Sequence, residues 1–102
     1  MTKYHAKPIT IDGIRFASTK EGKRYTELKL LERAGEISRL ELQPRYDITI
    51  NGIYCGFYKA DFRFFSKKGV EVWDVKGLPT PLYKFKKRIV EALYPGVTIQ
   101  EV

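Results

Sequence analysis

One cysteine, one histidine and one tryptophan occur among the 102 residues. A single cysteine cannot close an intramolecular disulfide, so the chain must fold on its apolar core alone, and an intracellular, cytoplasmic setting is expected. Without a Cys/His cluster a structural zinc site is excluded. The one histidine, His5, sits near the start, which gives Ser-His-Asp and Cys-His catalysis little support. No apolar run approaches the ~20 residues of a membrane-spanning helix. No apolar stretch follows the basic residues at positions 1–8, so no secretory signal is expected. Negative charge is also scarce: 12 Asp and Glu stand against 19 Lys and Arg, a net charge of +7.

With 43% hydrophobic residues the chain is not disordered. Its length suits one domain, read as an N-terminal arm at 1–8 followed by a single unit at 9–102. The positive surplus points to a polyanionic partner, nucleic acid first. Lys20, Lys23 and Arg24 form one basic cluster, and Lys84, Lys86, Lys87 and Arg88 another. Tyr25, Tyr83 and Phe85 lie beside them. Such rings stack on bases in nucleic-acid-binding proteins, and at helical spacing they also read as core.

Turn chemistry divides the chain. Asp12-Gly13 between Ile9-Thr10-Ile11 and Ile14-Arg15-Phe16 predicts a hairpin. Ser18 followed by Glu21 is a capping box that opens a helix over 18–34, stopped by Gly35. Gly22 inside that helix costs about 1 kcal/mol relative to Ala. Strands are expected at 39–43 and 46–50, with Asn51-Gly52 turning the chain into an extended run at 53–65, bent near Gly56. A loop at 66–69 leads to a strand at 70–76. A second helix is expected at 82–94 with Leu82, Phe85, Ile89 and Leu93 as its buried stripe, then a short strand at 97–102. Helices and strands in this order suit a mixed sheet flanked by helices.

If the 66–69 loop closes a hairpin, Phe65 faces Val70 and Asp61 faces Asp74, with Cβ atoms roughly 4.5–5.5 Å apart. Lys76 falls on the same face as Asp74. Phe62 against Trp73, and Ala60 against Val75, make the other face apolar. Two opposed carboxylates repel unless a cation or proton intervenes, and a hard divalent cation such as Mg²⁺ suits oxygen ligands. A neighbouring ammonium can orient a metal-bound water or stabilise charge on a phosphate. Glu21 lies seven residues from Leu28, about 20° away around the helix, and so leans toward the sheet. Each residue also has a plain structural reading. Glu21 serves as a capping acid, Lys76 as a solvated lysine, and Gln43 as a polar strand end. A one-residue slip would separate Asp61 from Asp74.

Ser18-Thr19-Lys20-Glu21 on a first helix, then Ala60-Asp61-Phe62, then Asp74-Val75-Lys76-Gly77, resembles the PD-(D/E)XK nuclease superfamily. The likeness is greatest to short phage-encoded proteins, and more distant to Holliday junction resolvases and TnsA-type endonucleases. Ala60 replaces the proline of the P-D pair, and Asp74 the more frequent Glu. The resemblance implies a restriction-endonuclease-like αβββαβ core with the hairpin added at its N-terminus. It implies Glu21, Asp61 and Asp74 as ligands of Mg²⁺ or Mn²⁺, joined by the Val75 backbone carbonyl, with Lys76 as the catalytic lysine. Gln43 in Leu42-Gln43-Pro44 resembles a Gln-Pro close to the site in TnsA-like relatives. The function implied is hydrolysis of phosphodiester bonds in DNA, four-way junctions above all, by a homodimer during phage replication or recombination. A non-catalytic nucleic-acid-binding module, or a nuclease-derived protein that binds another protein, are the alternatives.

Overall fold

The computed structural model describes residues 7–75 and 79–102. The two apolar triplets become β1 (Ile9–Ile11) and β2 (Ile14–Phe16), paired antiparallel with Ile11 opposite Ile14. Asp12 and Gly13 between them have φ of 53° and 75°, the left-handed turn whose twist matches a two-residue hairpin. Residues 1–6 of the expected arm lie outside the described residues.

Helix α1 (Thr19–Arg33) starts where the capping box places it, with the Ser18 side chain accepting from the Glu21 amide at 3.1 Å. Gly22 has a packing reason. A Cβ there would lie 2.7 Å from Ile9 Cγ2 and 3.0 Å from Ile11 Cδ1, so the missing side chain is what lets β1 lie against the helix. One turn on, the Tyr25 hydroxyl donates to Asp12 Oδ2 at 2.9 Å and its ring meets Phe16 at 4.9 Å.

Strand β3 (Ser38–Leu42) precedes a second hairpin, β4 (Arg45–Ile50) and β5 (Ile53–Lys59), turned by Asn51 and Gly52. The bend expected near Gly56 is a bulge: φ there is 131° and the register shifts between Ile48 and Thr49. The expected single run at 53–65 is instead two strands in different sheets, β5 and β6 (Phe62–Ser66). Two backbone bonds hold the break. Ala60 N donates to Pro44 O at 3.1 Å, and Gln43 N donates to Asp61 O at 2.9 Å. The two chain segments therefore leave the β4–β5 arm together and enter the main sheet as β3 and β6. Ala60 and Phe62, expected on one apolar face, pack into different clusters as a result.

Strand β7 (Gly69–Asp74) pairs with β6 in the expected register, Phe65 opposite Val70 and Phe62 opposite Trp73. Helix α2 (Pro81–Leu93) is capped by Thr80 and leads to β8 (Ile99–Glu101), which runs parallel to β7. The four-stranded sheet has the order β3-β6-β7-β8, antiparallel but for its last pair. The protein is α+β, and with the two hairpins set aside its elements follow the order αβββαβ.

Apolar clusters form on two sides. Phe62 and Phe64 pack with Phe16, Tyr25 and Leu28. Val72 and Ile99 pack with Tyr46, Ile48, Tyr58 and Val90. The face of β7 that bears Asp74, expected to present two carboxylates and an amine, is covered, with Val72 1% and Asp74 2% exposed. Helix α2 is also rolled from its expected orientation. Tyr83 and Val90 are buried while Leu82 and Phe85 are each 62% exposed. The tyrosines set that roll, because Tyr83 OH donates to Glu101 Oε2 at 3.0 Å and Tyr94 OH to the Asp47 carbonyl at 2.7 Å. Large rings with fixed hydroxyl partners outweigh the Leu and Phe stripe. No helix among the described residues is long and apolar enough to cross a membrane.

Candidate functional site

Asp61 occupies the break between β5 and β6. Its amide donates to the Trp73 carbonyl at 3.0 Å, which carries the β6–β7 pairing one residue past the strand end and sets Asp61 beside Asp74. The Asp61 Oδ2 accepts from the Val75 amide at 2.7 Å. Asp74 ends β7, and the buried Tyr58 hydroxyl donates to its Oδ2. Two carboxylates therefore sit side by side, each oriented by a neutral donor.

The electrostatics follow from burial. Loss of solvent pushes the Asp61 carboxyl up to about 7. The Val75 amide opposes that rise, while the charges of Glu21 and Asp74, with a side-chain bond to Asp74, reinforce it. Burial and the bond to Asp74 hold the Tyr58 hydroxyl well above its ordinary range, so it remains a donor.

Glu21, in the first turn of α1, shares a cleft of about 250 Å³ with Gln43, Asp61 and Arg15. Gln43 stands in the left-handed region (φ 51°) immediately before the buried Pro44. Glu21, Gln43 and Asp61 thus meet at one cleft, and Asp74 adjoins Asp61 from below the surface. Val75 touches the cluster through its amide. Lys76 lies outside the described residues. Among those residues no three Asp, Glu, His or Cys side chains converge tightly enough to hold a metal ion by themselves. The donors nevertheless fit Mg²⁺ or Mn²⁺. They are hard oxygens, and two belong to adjacent carboxylates whose repulsion a divalent cation relieves. Mg²⁺ commonly takes only one or two carboxylates and completes its shell with water and phosphate.

The basic residues divide into two groups. Lys20, Lys23, Lys84 and Arg88 are exposed. Arg24 pairs with Glu27 at 3.1 Å, Lys86 Nζ donates to the Phe57 carbonyl at 3.1 Å, and Lys87 pairs with Glu101 at 3.3 Å. Sequence reasoning did not find Tyr58 or Arg15. Tyr58 reaches Asp74 because β5 and β6 part company at Ala60, a crossing that no local pattern announces. Arg15 shows in the sequence only as the polar centre of an Ile-Arg-Phe triplet.

A mixed sheet with a carboxylate pair where β7 ends, and a cleft over one member of it, places the chain among α+β proteins with a candidate acidic site. More particularly, the chain matches over residues 1–102 the family described as "Protein of unknown function (DUF1064)", and it belongs to that family. No curated protein and no solved structure matches it.

Proposed function

We propose that this protein is a Mg²⁺- or Mn²⁺-dependent endodeoxyribonuclease that hydrolyses phosphodiester bonds in branched DNA, with the four-way junction as its favoured substrate. The observation that carries the reading is the Asp61–Asp74 pair beside the cleft that holds Glu21 and Gln43. Adjacent buried carboxylates are costly unless a cation or proton is shared between them, and perturbed acids in a cleft are a mark of chemistry. The αβββαβ element order and the Asp-Val-Lys motif point the same way by resemblance.

Asp61 and Asp74 would hold the cation, with Glu21 reaching it directly or through water. The bound cation supplies an activated water and offsets charge on the phosphate. The Tyr58 hydroxyl and the Val75 amide each hold one of the two carboxylates, Asp74 and Asp61. Gln43 orients water or phosphate from the cleft wall. Lys76 would take the role of the motif lysine, which is to position the attacking water and stabilise the charge that grows on the phosphate. Lys20, Lys23, Lys84 and Arg88, all exposed, would track the DNA backbone, with Arg24, Lys86 and Lys87 in support. Two symmetric nicks in a junction call for a homodimer, acting in the cytoplasm, that of the host if the chain is phage-encoded.

The test is cleavage of labelled four-way junction, flap, duplex and single strand in Mg²⁺ and in Mn²⁺, with Lys76→Ala beside the wild type. Metal-dependent cutting that the variant loses is the expected result. Tight, salt-sensitive binding by both proteins with no cutting would instead define a binding module.

A further inference from the structure

We infer that Arg15 is a phosphate-binding residue: it grips the DNA strand whose backbone enters the cleft of Glu21, Gln43 and Asp61. The ligand in this inference rests on the nuclease reading above. The placement of the side chain does not.

Three observations converge on Arg15. It is an exposed residue of β2 that lines the same cleft as Glu21, Gln43 and Asp61. Among the described residues its side chain makes no hydrogen bond or ion pair. Arg24 and Arg45, by contrast, close on Glu27 and Asp47 at 3.1 and 3.0 Å. An arginine that lines a cleft with two carboxylates and pairs with neither keeps its charge for a third anion. A cleft of about 250 Å³ holds several waters, and so has room for a phosphodiester unit.

The hairpin that carries Arg15 is fixed in place, which is what a binding residue requires. Ile9 and Ile11 lie on the gap left by Gly22, the residue next to Glu21. Tyr25 holds the turn through Asp12 and packs on Phe16. Phe16 is 3% exposed and packs the strand down, while its exposed neighbour Arg15 lines the rim of the same cleft. One helical turn therefore sets both the acid of the site and the hairpin with its cation. The chemistry is complementary as well. The acidic site repels a phosphate on approach, and among the described residues that line the cleft Arg15 supplies a cation. Its planar fork matches two phosphate oxygens at once, which a lysine cannot do.

The experiment measures binding and cutting separately, with Arg15→Ala, Arg15→Lys and a control, Arg33→Ala, at an exposed arginine outside the cleft. Binding of a fluorescent four-way junction and a duplex is titrated in Ca²⁺ over a range of salt, and cleavage is measured in Mg²⁺. Arg15→Ala should weaken binding about 5–10-fold at moderate salt and reduce the salt slope by about one unit, as loss of one phosphate contact requires. Arg15→Lys should keep the slope and recover only part of the affinity, and Arg33→Ala should match wild type. Equal affinity and slope in Arg15→Ala and wild type would overturn the inference, whether or not the protein cuts. An Arg15-dependent slope without any cutting by wild type would uphold the phosphate site and overturn the nuclease reading. Failure of the wild type to bind either DNA would overturn both.

Discussion

A carboxyl group held near pH 7 places a load on folding that grows with pH. Asp61 reaches that value chiefly through burial, while in the unfolded chain an aspartate titrates near 4. Its contribution to stability is therefore intact below about pH 4 and is lost as pH rises toward about 7. A sealed group would lose about 4 kcal/mol over that span; Asp61 borders an open cleft, and screening reduces the expected loss to about 2 kcal/mol. Asn at this position keeps an oxygen for the Val75 amide and has no charge to bury. The metal-free Asp61→Asn protein should consequently melt roughly 8–16 °C above wild type at about pH 8, with the gap closing toward about pH 4. Millimolar Mg²⁺ or Mn²⁺ should stabilise the wild type and leave Asp61→Asn unmoved. Equal ion-induced shifts in the two proteins would place the cation elsewhere. The Asp61–Asp74 pairing was legible because a short loop fixes the register of its hairpin. The Tyr58 hydroxyl on Asp74 was not, because it depends on where one strand leaves the arm and the next joins the sheet.

At the scale of elements, what the sequence made legible was local. Asp12-Gly13, Asn51-Gly52 and the Ser18 cap each need only two to four residues to specify a turn or a helix start, and each stands where it was expected. The β5–β6 break and the roll of α2 depend on distant partners, the Pro44 carbonyl for one and Glu101 and Asp47 for the other. Gly22 is the clearest case. Read alone it is a flaw in α1; in the fold it is the seat of β1. Gly22→Ala gains about 1 kcal/mol of helix propensity, yet its Cβ would press on Ile9 and Ile11. Crowding of this kind costs about 1–3 kcal/mol, and Ile9 Cγ2, branched at Cβ, has little freedom to move away. Gly22→Ala should therefore lower the melting temperature in the wild-type background and raise it in an Ile9→Ala background. Thermal melts of the four proteins read the coupling directly. Additive effects would show that hairpin and helix do not press on each other at this point.

Over the whole molecule, a net charge of +7 says that an anion is welcome without saying where. The fold narrows the choice by using some of the charge internally. Lys86 is anchored on the Phe57 carbonyl, and Lys87 on Glu101, which also receives the Tyr83 hydroxyl. These two lysines hold α2 to the arm and to β8. Lys84 and Arg88 on the same helix are exposed, and neighbours three or four residues apart on a helix share one side of it. That difference separates two kinds of loss. Replacing Lys84 and Arg88 together by Ala should leave the melting temperature within about 2 °C of wild type and reduce the salt slope of DNA binding by about two units. Replacing Lys86 and Lys87 should lower the melting temperature and alter the slope by less than one unit. If the two double variants change the slope alike, the phosphates do not distinguish the outer side of α2 from its packed side. The DNA path would then run over α1 and the Arg15 hairpin, with Lys20 and Lys23 as its remaining cations.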